Sequence, residues 1–116
     1  FLSQLSDVKV AFPVAHGEGR FFTSRDNLEK IEKQNLVALR YVDDSGKATM
    51  SYPQNPNGAL HAIAGITDIS GRIIGLMPHP ERYILTEQHP NFRRIKSKKP
   101  DGLVFFEKMI DYAKEL

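Results

Sequence analysis

Two β-prone runs, residues 63–69 and 72–77, are separated only by Ser70 and Gly71. A two-residue connection that contains glycine is typical of a tight turn between antiparallel strands, and it is too short for a crossover. The sequence therefore predicts a β-hairpin, and this hairpin leads directly into Pro78-His-Pro-Glu81.

Other segments predict the elements that flank this hairpin. Residues 8–15 and 36–42 are β-prone and predict two further strands, the first of which ends near Pro13. The predicted helices run from a cap at Thr23 or Ser24 to about Gln34, and from a cap at Asp101 to the C-terminus. Residues 82–99 are polar and irregular and predict an extended loop. Strands followed by a closing amphipathic helix predict the α/β class.

The composition limits the kinds of partner and the cellular location that we expect for the protein. With 116 residues, 41% of them hydrophobic and 26% charged, the chain is long enough for one modest core. The 16 Lys and Arg residues against 14 acidic residues give a net charge of +2, which is too small to argue for nucleic-acid binding. No apolar run approaches the roughly 20 residues that span a bilayer, and no charged leader precedes the first strand. We therefore expect a cytoplasmic protein with neither a nucleic acid nor a membrane as its partner.

The chain contains no cysteine. This excludes a disulfide framework, thiolate metal ligands and a cysteine nucleophile within these residues. The chain also begins with Phe1 rather than Met, and we therefore expect a fragment or a processed product.

The segment around His79 carries the clearest chemical signal. Pro78 and Pro80 have fixed φ angles and no amide donor, and a proline disfavours the helical region for the residue before it. The segment should therefore leave the hairpin in an extended conformation, in which residues i and i+2 project to one side. The carboxylate of Glu81 could then fix the tautomer of His79 and leave the other ring nitrogen as a base. The same spacing also fits a surface turn with an incidental ion pair, which is the commoner case on loops.

A second pair of this kind, His16 and Glu18, follows the first predicted strand and alternates with Gly17 and Gly19. Glycines permit a positive φ and a close backbone approach, which suits a ligand site or, more often, a tight turn. The four histidines form no His-Glu-x-x-His motif and have no cysteine to pair with. We therefore predict no metal site in this chain.

A basic cluster precedes the closing helix. Its members are Arg93, Arg94, Lys96, Lys98 and Lys99. The cluster could contact phosphate or an acidic patch on a partner, but such runs are more often solvated loops. One neighbouring aromatic residue, Phe92, is too few for a single-strand nucleic-acid binder. No Gly-rich phosphate loop, dinucleotide fingerprint or Gly-x-Ser-x-Gly elbow occurs, so we expect no cofactor in this chain.

Three motifs, taken together and in order, resemble a known family. They are Pro13-Val-Ala-His-Gly-Glu-Gly-Arg20, Asn55-Pro-Asn-Gly-Ala-Leu-His-Ala-Ile-Ala-Gly-Ile-Thr-Asp68 and Gly75-Leu-Met-Pro-His-Pro-Glu-Arg82. The chain resembles the glutaminase domains of phosphoribosylformylglycinamidine synthases, which are class I, triad-type glutamine amidotransferases. The resemblance extends from about Val8 to Arg82, and the closing helix is compatible with it.

This resemblance implies a fold and a reaction. The fold would be the C-terminal half of a flavodoxin-like α/β domain, a mixed sheet with flanking helices, so that residues 1–116 form a partial domain. A cysteine on a strand-to-helix turn in the missing N-terminal half would attack the side-chain amide of glutamine, the substrate. By the match of the third motif, His79 would be the base and Glu81 its orienting group. The ammonia would pass to a partner synthetase subunit or domain, where ATP and Mg²⁺ are expected and formylglycinamide ribonucleotide becomes the amidine.

Two alternatives stay open at this point. The chain could be a noncatalytic module that docks to a synthetase through the basic cluster, or it could belong to a triad amidotransferase that serves another acceptor. In the leading interpretation the isolated chain lacks a thiolate, and we therefore expect it to be inactive on its own.

Overall fold

A computed structural model describes residues 8–95 and 98–116, and these divide into two compact units. The hairpin unit is Ala15–Pro78. The terminal unit joins the described part of Phe1–Val14 to His79–Leu116. The chain therefore passes between the units twice, after Val14 and after Pro78.

The hairpin unit contains a three-stranded antiparallel sheet. Its strands are β1 (Val37–Arg40), β2 (Ile63–Thr67) and β3 (Ile74–Leu76), in the order β1-β2-β3. In the β2–β3 pair Gly65 lies opposite Leu76 and Thr67 lies opposite Ile74. The predicted hairpin is confirmed, but its strands are joined by residues 68–73 and not by the predicted two-residue turn. The strand predicted over residues 36–42 is confirmed as β1.

The hairpin turn is organised by the carboxylate of Asp68. One oxygen accepts hydrogen bonds from the backbone N–H groups of Arg72 and Ile73, at 3.1 and 3.0 Å. The other accepts from the backbone and the hydroxyl of Ser70, at 3.2 and 2.6 Å. Gly71 adopts a φ of 68°, in the left-handed region that favours glycine. These hydrogen bonds, that from the Ser70 hydroxyl above all, lower the pKa of Asp68 to about 2.

We expect replacement of Asp68 by alanine to destabilise the folded chain near neutral pH and to matter little in strong acid. The ionised carboxylate is the acceptor, and its pKa in the folded state is depressed from 3.8 to about 2. Its stabilisation is therefore complete above pH 3.8 and is lost as the pH falls through about 2. Urea denaturation of wild type and Asp68→Ala at a series of pH values measures the difference.

Asp111→Ala is the matched control, because Asp111 is an exposed carboxylate on the closing helix. The free energies of unfolding of wild type and Asp68→Ala should converge towards pH 2. A difference that is the same at pH 7 and pH 2 would contradict an ionic origin.

The first helix, α1 (Arg25–Lys33), begins where the sequence predicts it to begin. The Ser24 side chain accepts a hydrogen bond from the backbone N–H of Asn27 at 3.3 Å, which caps the first turn. Leu28 is the buried residue of this helix. In the same unit Ile63 of β2 is almost fully buried, so β2 contributes to the apolar core of the hairpin unit.

The closing helix, α2 (Asp101–Glu115), lies in the terminal unit. Its N-cap is Pro100, which makes no side-chain capping hydrogen bond, so the prediction of Asp101 as the cap is wrong by one residue. Proline holds extended backbone at the cap, and Asp101 enters the first turn, where an acidic side chain is favourable. Phe105 of α2 is buried and packs edge-to-face on Phe12, with ring centroids 5.7 Å apart.

The strand predicted over residues 8–15 is wrong, because this segment forms no ladder with any strand of the described residues. We call its described part, residues 8–14, the strap. The loop predicted over residues 82–99 is irregular as expected in its described part, residues 82–95 and 98–99, while residues 96–97 lie outside the described residues. It contains the 3₁₀ turn Thr86–Gln88, and its first residue ends a second one, Pro80–Arg82.

The predicted α/β class is confirmed by the two helices and the sheet. Every strand pair in residues 8–95 and 98–116 is antiparallel, so the parallel strands of a mixed sheet are not among them. Across the same residues, no helix combines the length and the apolar character that crossing a membrane requires.

Candidate active site

The imidazole of His79 and the carboxylate of Glu81 lie side by side in the terminal unit. Nδ1 of His79 is 2.7 Å from Oε1 of Glu81. The side chains are 30% and 56% exposed, so both groups are accessible from solvent. The two residues therefore form the His–carboxylate pair predicted from the sequence, which we call the dyad.

The backbone that carries the dyad differs from the prediction. His79 is non-helical, with φ −109° and ψ 84°, as the following proline demands. The chain then turns at once into the 3₁₀ turn Pro80–Arg82, so an extended conformation through Glu81 is wrong. Proline favours the first position of a helical turn, where its fixed φ fits and its missing N–H is not needed.

Two backbone hydrogen bonds tie the ends of this turn. The N–H of His79 donates to the carbonyl of Pro13 in the strap at 2.8 Å. The N–H of Tyr83 donates to the carbonyl of Pro80 at 3.1 Å, and Tyr83 itself is buried. The dyad is therefore accessible at its side chains, while its backbone is held to the strap at His79 and closed into a turn after it.

The charge state of Glu81 decides which ring nitrogen of His79 carries the proton of the contact. The hydrogen bond from His79 lowers the pKa of Glu81 below its usual range, so this carboxyl is ionised near neutral pH. An ionised carboxylate accepts hydrogen bonds only, and Nδ1 must therefore carry the proton of the 2.7 Å contact. In the neutral imidazole the lone pair is then on Nε2, the nitrogen that can accept a proton.

The second predicted pair does not form a comparable site. Among the described residues, no hydrogen bond joins the side chains of His16 and Glu18, which are both exposed. The segment forms a loose turn, in which the N–H of Gly19 lies 3.4 Å from the carbonyl of His16. Gly19 also lies against Met77, since a Cβ at this position would be 2.5 Å from Cγ of Met77. The close approach that glycine permits is therefore used for packing within the hairpin unit.

The structure brings together a third group that sequence reasoning missed. Arg40 donates to both carboxylate oxygens of Glu32, at 2.9 and 2.7 Å, and to the carbonyl of His61 at 2.8 Å. Nδ1 of His61 is 3.1 Å from the same carboxylate. The Arg40 guanidinium holds the pKa of Glu32 below its usual range. The residues are 8 to 29 positions apart, so no local spacing could have predicted this cluster.

Part of the basic cluster is paired with α2. Lys98 lies 3.0 Å from Asp101, and Lys99 forms an ion pair with Glu107. Arg93 stacks over the ring of Phe92, and Lys96 lies outside the described residues. No group of three or more metal-ligating side chains occurs within residues 8–95 and 98–116.

An imidazole that lies against a carboxylate provides two of the three kinds of group used by enzymes that act through an activated Ser or Cys nucleophile. Comparison with known proteins identifies the family. Residues 1–113 match the family described as the CobB/CobQ-like glutamine amidotransferase domain. The chain belongs to this family.

Curated relatives share substantial identity with the chain. It is 48% identical to phosphoribosylformylglycinamidine synthase of Saccharomyces cerevisiae over 84 aligned residues. The aligned segment covers 71% of this chain and 6% of the yeast protein. It is 44% identical over 109 residues to phosphoribosylformylglycinamidine synthase subunit PurQ of Dehalococcoides mccartyi, 93% of this chain and 41% of that subunit. The PurQ subunit of Picrophilus torridus is 42% identical over 105 residues, 90% of this chain and 42% of that subunit. The chain spans less than half the length of each of these relatives.

Proposed function

We propose that the chain supplies the base of a glutamine amidotransferase, with His79 as the proton acceptor and Glu81 as its orienting carboxylate. The observation that carries this proposal is the 2.7 Å contact between Nδ1 of His79 and Oε1 of Glu81. This contact fixes the tautomer of His79 and the orientation of its ring, and it leaves Nε2 free to accept the proton of a nucleophile. Membership of the glutamine amidotransferase family supports the same assignment.

The nucleophile in this proposal is a cysteine outside these 116 residues, because the chain contains none. Nε2 of His79 takes the proton of that thiol, and the thiolate attacks the side-chain carbonyl carbon of glutamine. The carbon–nitrogen bond breaks as the imidazolium returns the proton to the departing ammonia. Water then hydrolyses the thioester to glutamate, with Nε2 accepting a proton from water and returning one to the sulfur. Glu81 stabilises the imidazolium at each of these stages.

The proposed fate of the ammonia follows the names of the relatives. Several relatives are phosphoribosylformylglycinamidine synthases or their PurQ subunits. We assign the ammonia to the conversion of formylglycinamide ribonucleotide to the amidine, on a partner synthetase that binds ATP and Mg²⁺. Within this proposal residues 1–116 are the portion of the glutaminase domain that bears the base, and the location is cytoplasmic.

The purified chain alone should release no ammonia from glutamine, because it provides a base without a thiolate. Adding the cysteine-bearing portion of the domain and the synthetase should restore release. With amide-labelled ¹⁵N-glutamine, mass spectrometry then shows which acceptor captures the nitrogen, and we expect the amidine of formylglycinamide ribonucleotide.

The control uses the same mixture with the added cysteine replaced by alanine, which should be as inactive as the chain alone. Glutamine turnover by the isolated chain would contradict the proposed division of the triad. Label captured only by a different acceptor would keep the glutaminase assignment and overturn the assigned product.

A further inference from the structure

The strap connects the dyad to the start of α2. The backbone N–H of Ala11 donates to Oδ2 of Asp101 at 2.8 Å. Two residues further along the strap, the carbonyl of Pro13 accepts the N–H of His79 at 2.8 Å. The position of the His79 backbone is therefore coupled to the first residue of α2 through a short run of chain.

Asp101 is unusual for a carboxylate, since its side chain is only 8% exposed. Its other oxygen pairs with the ammonium of Lys98 at 3.0 Å. A carboxylate at this depth is stable only when its oxygens have partners, and here one partner is a backbone N–H from a distant segment. The edge-to-face contact between Phe12 and Phe105 holds the strap against α2 beside this hydrogen bond.

The next residue, Gly102, contacts the backbone on both sides of Glu81. Its N–H donates to the carbonyl of Tyr83 at 3.0 Å. A Cβ built on Gly102 would lie 1.9 Å from the carbonyl oxygen of Pro80 and 2.5 Å from that of Tyr83. These backbone atoms lie at the start of the turn Pro80–Arg82 and just after its end, so displacing them would shift the backbone that carries Glu81. Alanine is the better helix former, so glycine is required here by the turn and not by the helix.

We propose that Asp101 and Gly102 are positioning residues for the dyad: Asp101 sets the strap that holds His79, and Gly102 sets the turn that holds Glu81. The expected effect on kcat rests on the proposed function. The expected effect on the contact between His79 and Glu81 does not depend on that function. The two residues are adjacent, so a single helix terminus fixes both members of the pair. A 2.7 Å contact is lost with a displacement of about 1 Å, which is enough to weaken a hydrogen bond severely.

The test uses the complete glutaminase, this chain together with its cysteine-bearing portion. Gly102→Ala should lower kcat for glutamine by about 10- to 100-fold while KM changes little, because the substitution displaces the proposed base and contacts no group assigned to substrate binding. In ¹⁵N NMR spectra of labelled histidine, the hydrogen-bonded Nδ1–H signal of His79 should weaken or vanish. Gly75→Ala is the matched control, since a Cβ there meets nothing within 4 Å.

Asp101 gives a second pair of variants in case Gly102→Ala does not fold. Asp101→Ala removes the acceptor for the Ala11 N–H and should weaken both kcat and the His79 signal. Asp101→Asn keeps one oxygen acceptor for the Ala11 N–H and loses the pair with Lys98, whose side chain is 55% exposed and can turn to solvent. It should therefore retain more of both readouts than Asp101→Ala.

The outcomes separate the two proposals. If the wild-type complex shows the His79 signal but hydrolyses no glutamine, the proposed function fails, and the effect of the variants on that signal still decides the positioning role. If wild type is active and either Gly102→Ala or Asp101→Ala leaves both kcat and the His79 signal unchanged, the positioning role is overturned.

Discussion

Replacing His79 by asparagine is expected to lower glutaminase kcat by about 10³-fold or more in the complete enzyme. The amide of asparagine is close to imidazole in size but cannot accept a proton at neutral pH. The thiol would then lose its base, and the ammonia would lose the acid that protonates it as it departs. Both proton transfers belong to the chemical steps, so the substitution should lower kcat and leave KM for glutamine little changed. A steady-state assay of ammonia release measures it.

His61→Asn is the matched control for this experiment. His61 also lies beside a carboxylate, 3.1 Å from Glu32, but in the hairpin unit and outside the dyad. Its φ of 49° lies in the left-handed region, which asparagine tolerates well. This variant should keep near wild-type activity. A His79→Asn enzyme that retains a tenth or more of wild-type kcat would show that another group is the base.

The elements that the sequence predicted well are those with local determinants. Ser24 caps α1 from three residues away, and Asp68 organises the hairpin turn within five residues. The His79–Glu81 contact spans two residues and is constrained by the proline between them. In each case the donor, the acceptor and the backbone restraint lie inside one short segment, so pattern and spacing contain the information.

The elements that the sequence missed depend on partners far along the chain. Residues 8–14 have β propensity, but β propensity becomes a strand only where a neighbouring strand is available to pair with. The N–H of Ala11 instead finds the carboxylate of Asp101, 90 residues away. The sequence predicts Asp101 as a helix cap because the preference for aspartate at a cap is a local rule. The group that its side chain actually binds is 90 residues away in the sequence, so no local rule could predict it.

The turn at Pro80 shows two local rules in competition. The rule for the residue before proline correctly describes His79, whose backbone is non-helical. The tendency of proline to begin a helical turn then governs the residues after it, and the 3₁₀ turn Pro80–Arg82 results. Either geometry brings an imidazole and a carboxylate two residues apart into contact. The dyad was therefore predictable, although the backbone path between its members was not.

Glu81→Gln is expected to lower kcat by about 10²-fold, a smaller loss than that at His79. Glutamine keeps the shape of the side chain but removes the charge that stabilises the imidazolium, and its amide can also donate to Nδ1 and select the wrong tautomer. Glu81 is 56% exposed, so water screens part of its charge and limits the loss. Glu87→Gln is the control, because Glu87 is an exposed carboxylate of the Thr86–Gln88 turn in the same unit. This substitution should leave kcat unchanged.

The pH dependence of the pair has a definite sign. The pKa of Glu81 is lowered, first of all by the hydrogen bond from His79. The favourable pairing is therefore complete above the ordinary carboxyl pKa of 4.5 and is lost only as the pH falls through the lower value of the folded state. The hydrogen-bonded Nδ1–H signal of His79 in ¹⁵N NMR spectra of the wild type should thus persist as the pH is lowered from 8 to 6, because Glu81 stays ionised throughout this range. Loss of that signal between pH 8 and pH 6 would contradict an ionised orienting group.

Double substitution decides whether His79 and Glu81 act as a unit. If Glu81 works only through the imidazole, removing it from an enzyme that already lacks His79 should cost nothing further. His79→Asn/Glu81→Gln should then have the same kcat as His79→Asn, and the coupling should equal the whole effect of Glu81→Gln in the wild-type background. Multiplicative losses in the double variant would mean that Glu81 acts independently of His79, by binding substrate or by holding the turn.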